Sequence, residues 1–325
     1  TGKTLPWGDL TGIRPTKIPM KLLEEGWKNT QIAQYMRETY GVSNEKTALA
    51  ITIANREKAL LQDLDYENGY SLYVGIPFCP SICLYCSFGS HPLERWTKRV
   101  DEYLDALCKE LTFIREEMGE RKLTTVYIGG GTPTTLEPEQ LRRLLSHIQT
   151  TFDFTWVKEY TVEAGRPDSI TREKLQVMKE FPVTRISVNP QTMNQKTLDV
   201  IGRKHTVEDT VNIFHMAREL GFDNINMDLI IGLPGEGKEE VAHTLQEVEN
   251  LHPDSLTIHS LALKRATRLN LFKDKYEEMS FENSQEIMEM TQQCARNMGM
   301  GPYYLYRQKN IAGNFENVGY AEVDK

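Results

Sequence analysis

Tyr73-Val-Gly-Ile-Pro-Phe-Cys79-Pro-Ser-Ile-Cys83-Leu-Tyr-Cys86-Ser-Phe-Gly89 places three cysteines in one short loop, directly after an apolar, strand-like run. The spacing is C-x3-C-x2-C. Three thiolates this close together can wrap one face of a small iron–sulfur cluster, but a four-iron cubane has four irons to ligate. An iron without a protein thiolate is open to a small molecule, as a catalytic metal site keeps an open position. Two blander readings compete. Structural zinc takes four Cys or His ligands, commonly with C-x2-4-C pairs. His91 follows the loop as a fourth donor, yet no second pair completes a familiar zinc spacing. The other cysteines, Cys108 and Cys294, stand alone in helix-like stretches, where a buried thiol is the default. Three clustered thiols and two strays, with no signal segment, describe a reducing cytoplasm and not a disulfide framework.

The 325 residues are 39% hydrophobic, enough to bury one large core or two modest ones. No apolar stretch approaches the roughly 20 residues that span a bilayer. The net charge of −8 argues against a general nucleic-acid surface. The start at Thr1 without a methionine, and the stop at Asp324-Lys325 soon after an unfinished motif, read as a fragment of a longer protein.

Residues 1–17 are rich in Gly, Pro and Thr and read as a looped lead-in. From about Ile18 to Asp65 the apolar spacing is helical. From Ser71 strands and helices alternate. Short apolar or β-branched runs fall at 71–76, 124–128, 157–162, 184–188, 224–231 and 255–261, with amphipathic stretches at about 94–118, 138–150, 171–180, 206–220 and 238–250. Such alternation implies a parallel sheet with right-handed crossovers. The expected fold class is α/β, a partial TIM-like (βα)6 barrel, with a doubly wound open sheet as the competitor. The expected domains are an N-terminal helical extension (1–70), the (βα)6 core (71–265) and a C-terminal helical segment with its tail (266–325). In either architecture chemistry gathers at the carboxyl ends of the strands, where the cysteine loop sits.

The second strand ends in Gly129-Gly130-Gly131-Thr132-Pro133. Three successive glycines cost backbone entropy, so a close approach to a ligand or a tight turn is expected there. The run lacks the Lys-Ser/Thr of a phosphate loop and the spacing of G-x-G-x-x-G. Polar residues recur at later strand ends: Glu163, Asn189 and Gln191, Asp228, and Arg203 just beyond the fourth strand. Burying Asp228 amid Ile, Met and Leu is costly without partners. A small ligand carrying an ammonium, a diol and a carboxylate would supply partners, its carboxylate suiting the fork of Arg203. A structural ion pair between Asp228 and Arg203 is the plainer account.

YVGIPFCPSICLYCSFGS, YIGGGTPTTL, TVEAGRPD, SVNPQT, IGRKHT and NMDLIIGLPGE together resemble the radical S-adenosylmethionine (SAM) coproporphyrinogen oxidase group, from about Ser71 to Leu263. That group includes HemN dehydrogenases, HemW heme chaperones and HemZ-type proteins. The CSFGS ending and the tail PYYLYRQKNIAGNFENVGYAE resemble the HemZ form. The resemblance implies a [4Fe-4S] cluster on Cys79, Cys83 and Cys86, with SAM chelated to the open iron and cleaved to a 5′-deoxyadenosyl radical. It also implies SAM contacts from Tyr73, Gly130, Glu163, Gln191, Arg203 and Asp228. A second SAM position would be lined by Tyr85, Gly131, Thr132, Ile230 and Ala262. Three departures stand out. Phe88 occupies the place of a further HemN cysteine, residues 1–70 hold nothing like the HemN N-terminal segment, and the HemW motif H-N-x-x-Y-W is replaced by Tyr306-Arg307-Gln308-Lys309-Asn310.

The implied reaction is oxidative decarboxylation of porphyrinogen propionates to vinyl groups, in the cytoplasm, with electrons from a donor such as flavodoxin or ferredoxin. A substrate with four propionates requires cations near the mouth, and Lys264, Arg265, Arg268, Arg307 and Lys309 follow the last strand. Tyr303, Tyr304, Tyr306, Phe315 and Tyr320 are candidates to cover a macrocycle, or equally to close the barrel. Three other classes remain open: a heme chaperone of the HemW type, a heme-degrading radical-SAM methyltransferase, and a structural or regulatory cluster protein.

Overall fold

The computed structural model describes residues 5–276 and 279–325; residues 1–4 of the lead-in lie outside them. The chain opens with helices α1 (Lys17–Glu24), α2 (Asn29–Tyr40) and α3 (Asn44–Gln62). Strand β1 (Gly69–Ile76) leads through the cysteine loop to α4 (Val100–Met118) and β2 (Lys122–Gly130). Then follow α5 (Pro138–Thr151), β3 (Glu159–Gly165), α6 (Arg172–Lys179), β4 (Arg185–Val188), α7 (Gln195–Val200), α8 (Val207–Glu219) and β5 (Ile225–Ile231). After α9 (Lys238–Leu251) and β6 (Ser255–Ser260) come α10 (Gln285–Asn297), β7 (Gly301–Tyr306) and β8 (Asn317–Ala321). Two compact units result: Leu64–Met227, and the two chain ends, up to Asp63 and from Asp228 onward.

Within Leu64–Met227 the strands β1, β2, β3, β4 and the start of β5 pair side by side, all parallel. A parallel sheet is covered on both faces, which is why β5 reads Ile-Asn-Met-Asp-Leu-Ile-Ile and is buried at every position except Asp228. The crossover helices follow their local chemistry. At α5, Pro138 takes the first turn, Glu137 and Gln140 form a reciprocal cap, and Leu141, Leu144, Leu145 and Ile148 form the buried stripe. Each such leucine removed from water contributes about 1.5–3 kcal/mol. The six strand runs and the five amphipathic stretches of the sequence correspond to β1–β6 and to α4, α5, α6, α8 and α9. The short α7 carried no expectation.

In the unit of the two chain ends, β8 lies between β6 and β7 and is antiparallel to both. The tail therefore holds strands where only a helical segment and a tail were expected. Leu305, Val318 and Ile258 share one register row and are buried, so an alternating, aromatic-rich stretch finds a sheet edge to extend. Residues 5–16 are irregular, as their composition implies, but not loose. Trp7 is fully buried, and its Nε1 donates to Glu316 Oε2 at 2.7 Å. The other oxygen of Glu316 pairs with Lys46 Nζ at 2.8 Å, both side chains nearly inaccessible, and Lys46 also faces the Phe315 ring. Arg307 belongs to this cluster. It is 7% exposed, stands over the Trp7 ring, and donates to Leu10 O and Asn314 Oδ1. Its expected place among the cations of a substrate mouth is corrected: it fastens the lead-in to the tail. Among the described residues no helix is long and apolar enough to cross a membrane.

A buried pair that loses one partner leaves an uncompensated charge. Glu316→Ala should lower the unfolding free energy by about 3–5 kcal/mol in chemical denaturation. Replacing both partners, Lys46→Met with Glu316→Leu, should recover most of that loss.

Candidate cluster and cofactor site

The unit Leu64–Met227 holds the cysteine loop. After β1, Phe78-Cys79 pairs in parallel with His91-Pro92, closing the loop at its base, and His91 N–H donates to Pro77 O at 2.7 Å. Leu84 N–H donates to Ile201 O at 2.9 Å, Ser81 Oγ donates to Gly202 O at 3.2 Å, and Arg166 Nη1 donates to Ser81 O at 2.9 Å. Cys79 and Cys83 are buried, and Cys86 is half-buried. Burial pushes the Cys86 thiol up, and the neighbouring Cys83 and Cys79 act in the same direction. Among the described residues no three Cys, His, Asp or Glu groups converge on a single ion. Cys108 and Cys294 lie apart in α4 and α10. Burial pushes Cys294 up to about 12, an inert thiol.

The glycine run explains how this loop is seated. Gly131 N–H donates to Ile76 O and Thr132 N–H to Phe78 O, both at 2.7 Å. A Cβ on Gly131 would stand 2.5 Å from Phe78 O, and Gly130 has φ +108° with Ile76 backbone atoms 3.0 Å from its Cβ position. Only glycine lets the end of β2 lie this close to the strand that feeds the cysteines. Thr132 Oγ1 then reaches Cys79 Sγ at 3.5 Å.

Around the loop the expected polar residues fall into two groups. Tyr73 stacks on Tyr127 with ring centroids 5.8 Å apart, and the Tyr127 hydroxyl donates to Glu163 Oε1. Arg203 is buried; its Nη1 donates to Asn189 O and its Nη2 to the Tyr85 hydroxyl at 3.2 Å. Burial works against its charge, but Tyr85 and Cys83 outweigh this and hold the guanidinium above its ordinary value. Burial likewise raises the Tyr85 phenol. Gln191 is a buried non-glycine residue at φ +69°, a conformation that costs energy and clusters at ligand sites. Arg166 and Asp168 were not singled out, although GRPD was in plain view. Arg166 forks onto Asp168 at 2.7 and 3.0 Å, and its Nη1 lies 3.7 Å from Cys83 Sγ.

Several buried polar atoms here have no hydrogen-bond partner among the described residues: Asn189 Oδ1, Gln191 Oε1, Arg203 Nε and both ring nitrogens of His205. Each such group costs about 1–3 kcal/mol unless a ligand or water completes it. An amide oxygen, a guanidinium N–H and a glycine cradle beside three thiols fit a ligand with ammonium, carboxylate and hydroxyl groups. SAM carries all three. Tyr85, Gly131 and Thr132, expected at a second SAM position, lie in the same loop-and-cradle assembly as the cysteines.

The other unit holds Asp228, Ile230 and Ala262. Asp228 Oδ2 stands 3.9 Å from His259 Nε2 on β6, a residue the sequence reading passed over. Ile230 is buried, and Ala262 forms an antiparallel bridge with Ile311.

Residues 73–248 match the model of the Radical SAM superfamily, more than half of the chain. The chain belongs to this superfamily. Its fold is the superfamily's α/β partial TIM-like (βα)6 barrel, and its cofactors are a [4Fe-4S] cluster and SAM. Within the superfamily it is similar to the coproporphyrinogen oxidase group. It is 45% identical to the oxygen-independent coproporphyrinogen-III oxidase-like protein HemZ of Bacillus subtilis, over 99% of this chain and 65% of that protein. It is 38% identical to the heme chaperone HemW of the same organism, over 61% of this chain and 52% of HemW. The solved structure of Escherichia coli HemN, a coproporphyrinogen III oxidase, matches with a TM-score of 0.67 and 28% identity, over 83% of this chain and 59% of HemN. The chain thus spans between half and two thirds of the length of these relatives.

His205 supplies a test of the buried site. Burial lowers its pKa to about 4, with the Arg203 charge acting in the same direction. Between pH 6.5 and 4 the unfolded chain binds a proton that the folded chain refuses, so stability falls as the pH drops through this window. The slope from this one group is about 1.4 kcal/mol per pH unit. In denaturation at a series of pH values, His205→Gln should remove that component of the slope.

Proposed function

We propose that this chain is the radical-SAM core of an enzyme that oxidatively decarboxylates tetrapyrrole propionates to vinyl groups, with coproporphyrinogen III as the substrate. The observation that carries this reading is the three-thiol loop seated on the glycine cradle, in a chain similar along nearly its whole length to an oxidase-like protein. Cys79, Cys83 and Cys86 would hold the cluster. Tyr73, Gly130, Glu163, Gln191, Arg203 and Asp228 would hold SAM, and Tyr85, Gly131, Thr132, Ile230 and Ala262 a second SAM. Together these groups, when bound, supply a carbon radical that removes one hydrogen atom from the substrate. Each reacting propionate, once its hydrogen atom has been removed, then loses CO2 and one electron to give the vinyl group, the electron passing to an acceptor. The protein's part is to bury the reacting site from water, to keep Arg203 charged, and to aim carboxylates and amides at the ligand. Lys264, Arg265, Arg268 and Lys309 are the remaining cations for the propionates; Arg265, Arg268 and Lys309 are exposed and Lys264 half-exposed. A flavodoxin or ferredoxin in the cytoplasm would deliver the reducing electron.

Anaerobic incubation with SAM, a reductant and either coproporphyrinogen III or heme, followed by mass spectrometry, tests this reading. Loss of CO2 and two hydrogens per propionate is expected. Stoichiometric heme binding without SAM consumption would mark a chaperone of the HemW type, and a linear, methylated tetrapyrrole a heme-degrading enzyme.

Two substitution series address the ligands. Cys79→Ala, Cys83→Ala and Cys86→Ala should each abolish the visible absorbance of the reconstituted cluster, while Cys108→Ala and Cys294→Ala leave it. Glu163→Gln and Asp228→Asn should keep the cluster but weaken SAM binding about ten- to a hundred-fold, the value of one charge-assisted hydrogen bond.

A further inference from the structure

Tyr306 and Gln308 lie in the tail stretch that the proposed function leaves unused. Gln308 Nε2 donates to the Tyr306 hydroxyl oxygen at 3.3 Å, and that hydroxyl meets His259 Nδ1, also at 3.3 Å. The His259 and Tyr306 rings meet edge to face. The second ring nitrogen of His259, Nε2, is the one 3.9 Å from Asp228 Oδ2. Four side chains, from β5, β6, the end of β7 and the segment just beyond it, thus form one row inside a single unit.

The sheet register makes the row possible. Ile258, Val318 and Leu305 are cross-strand neighbours on one buried face. His259 and Tyr306 are each one residue further on, so the two-residue period of a strand turns both to the opposite face. All four members of the row are half-buried, where a hydrogen bond counts for more than at an open surface.

The row also has a direction. An amide N–H can only donate, so the Tyr306 oxygen accepts from Gln308 and its own proton is left for His259 Nδ1. A neutral imidazole that accepts at Nδ1 carries its proton on Nε2, the nitrogen facing Asp228. At 3.9 Å the last link is longer than a hydrogen bond and acts as an orienting electrostatic contact.

We propose that Gln308, Tyr306 and His259 are positioning residues for the Asp228 carboxylate, facing it with an Nε2–H dipole that orients it toward bound SAM. This rests on the reading of Asp228 as a SAM ligand. It gives the segment Tyr306-Arg307-Gln308 two separate tasks: Arg307 fastens the lead-in, while its neighbours on either side serve the carboxylate.

The test measures SAM dissociation constants by anaerobic titration of the cluster-loaded protein, and the His259 tautomer from side-chain 15N spectra of the same protein, oxidised and without SAM. His259→Phe and Tyr306→Phe should each weaken SAM binding about two- to three-fold, the low end of what a net hydrogen bond contributes. Cluster content and melting temperature should stay unchanged. His259→Gln, which retains a donor, should recover most of the affinity, and Tyr306→Phe should shift His259 away from the pure Nε2–H form. Unchanged affinity in His259→Phe and Tyr306→Phe, with Asp228→Asn still weakened, would overturn the positioning role and leave the SAM reading intact. Unchanged affinity in Asp228→Asn would remove the SAM reading itself. Should His259→Phe fail to fold, the tautomer in Tyr306→Phe decides: an unaltered Nε2–H signal overturns the proposal.

Discussion

Two backbone hydrogen bonds, from the N–H groups of Gly131 and Thr132 to Ile76 O and Phe78 O, seat the cysteine loop. They join the end of β2 to the chain leaving β1 at the point where Cys79 begins its loop. The approach is so close that no side chain fits at Gly131, and Gly130 adopts a backbone conformation that L-residues avoid. From this junction the rest follows. Thr132 reaches Cys79, the loop is closed by His91, and Arg166 and the 201–202 backbone hold its far side. A loop fixed at so many points would offer three thiolates in a set arrangement and would leave the fourth iron of a cubane to the ligand.

The second constraint is the cost of burying charge. Arg203, Arg166 and His205 all lie inside the same unit, and the fold manages each differently. Arg166 is paid in full by a forked bond to Asp168. Arg203 keeps its charge through Tyr85 and the cysteine loop but retains an N–H without a partner. His205 gives up its proton. Incomplete satisfaction of this kind is destabilising in a bare scaffold and useful in a binding site, because the ligand completes it. The unit of the two chain ends shows the contrast. There Trp7, Lys46 and Glu316 satisfy one another, which is the behaviour of a fastener.

Much of this was legible in the amino-acid order. Parallel strands are buried on both faces, so their apolar runs stand out, and the helices between them carry clear stripes and caps. Cys79, Cys83, Cys86 and the glycine run were legible because their spacing has few other uses. What stayed hidden depends on long-range contact. Strands β7 and β8 follow glycine-containing turns and are strands because the edge at β6 receives β8, and β8 in turn receives β7. Arg307 read as a free cation because its position after the barrel says nothing about burial, whereas Trp7, some 300 residues earlier in the chain, covers it. His259 sits in an ordinary strand run, Ser-Leu-Thr-Ile-His-Ser, and only its contact with Tyr306 across β8 and its approach to Asp228 give it a role. Arg166 and Asp168 carried a signal, an oppositely charged pair at a strand end, that could have been weighed.

The central claim is that Cys79, Cys83 and Cys86 hold a cluster with one iron open to SAM. Electron paramagnetic resonance of the reduced, reconstituted protein, recorded with and without SAM, tests it most directly. The account predicts a [4Fe-4S] signal whose g-values change on adding SAM, and that this change is lost in Arg203→Ala while the cluster remains. A signal indifferent to SAM in the wild-type protein would contradict it, because the cluster would then have no open iron within reach of the ligand.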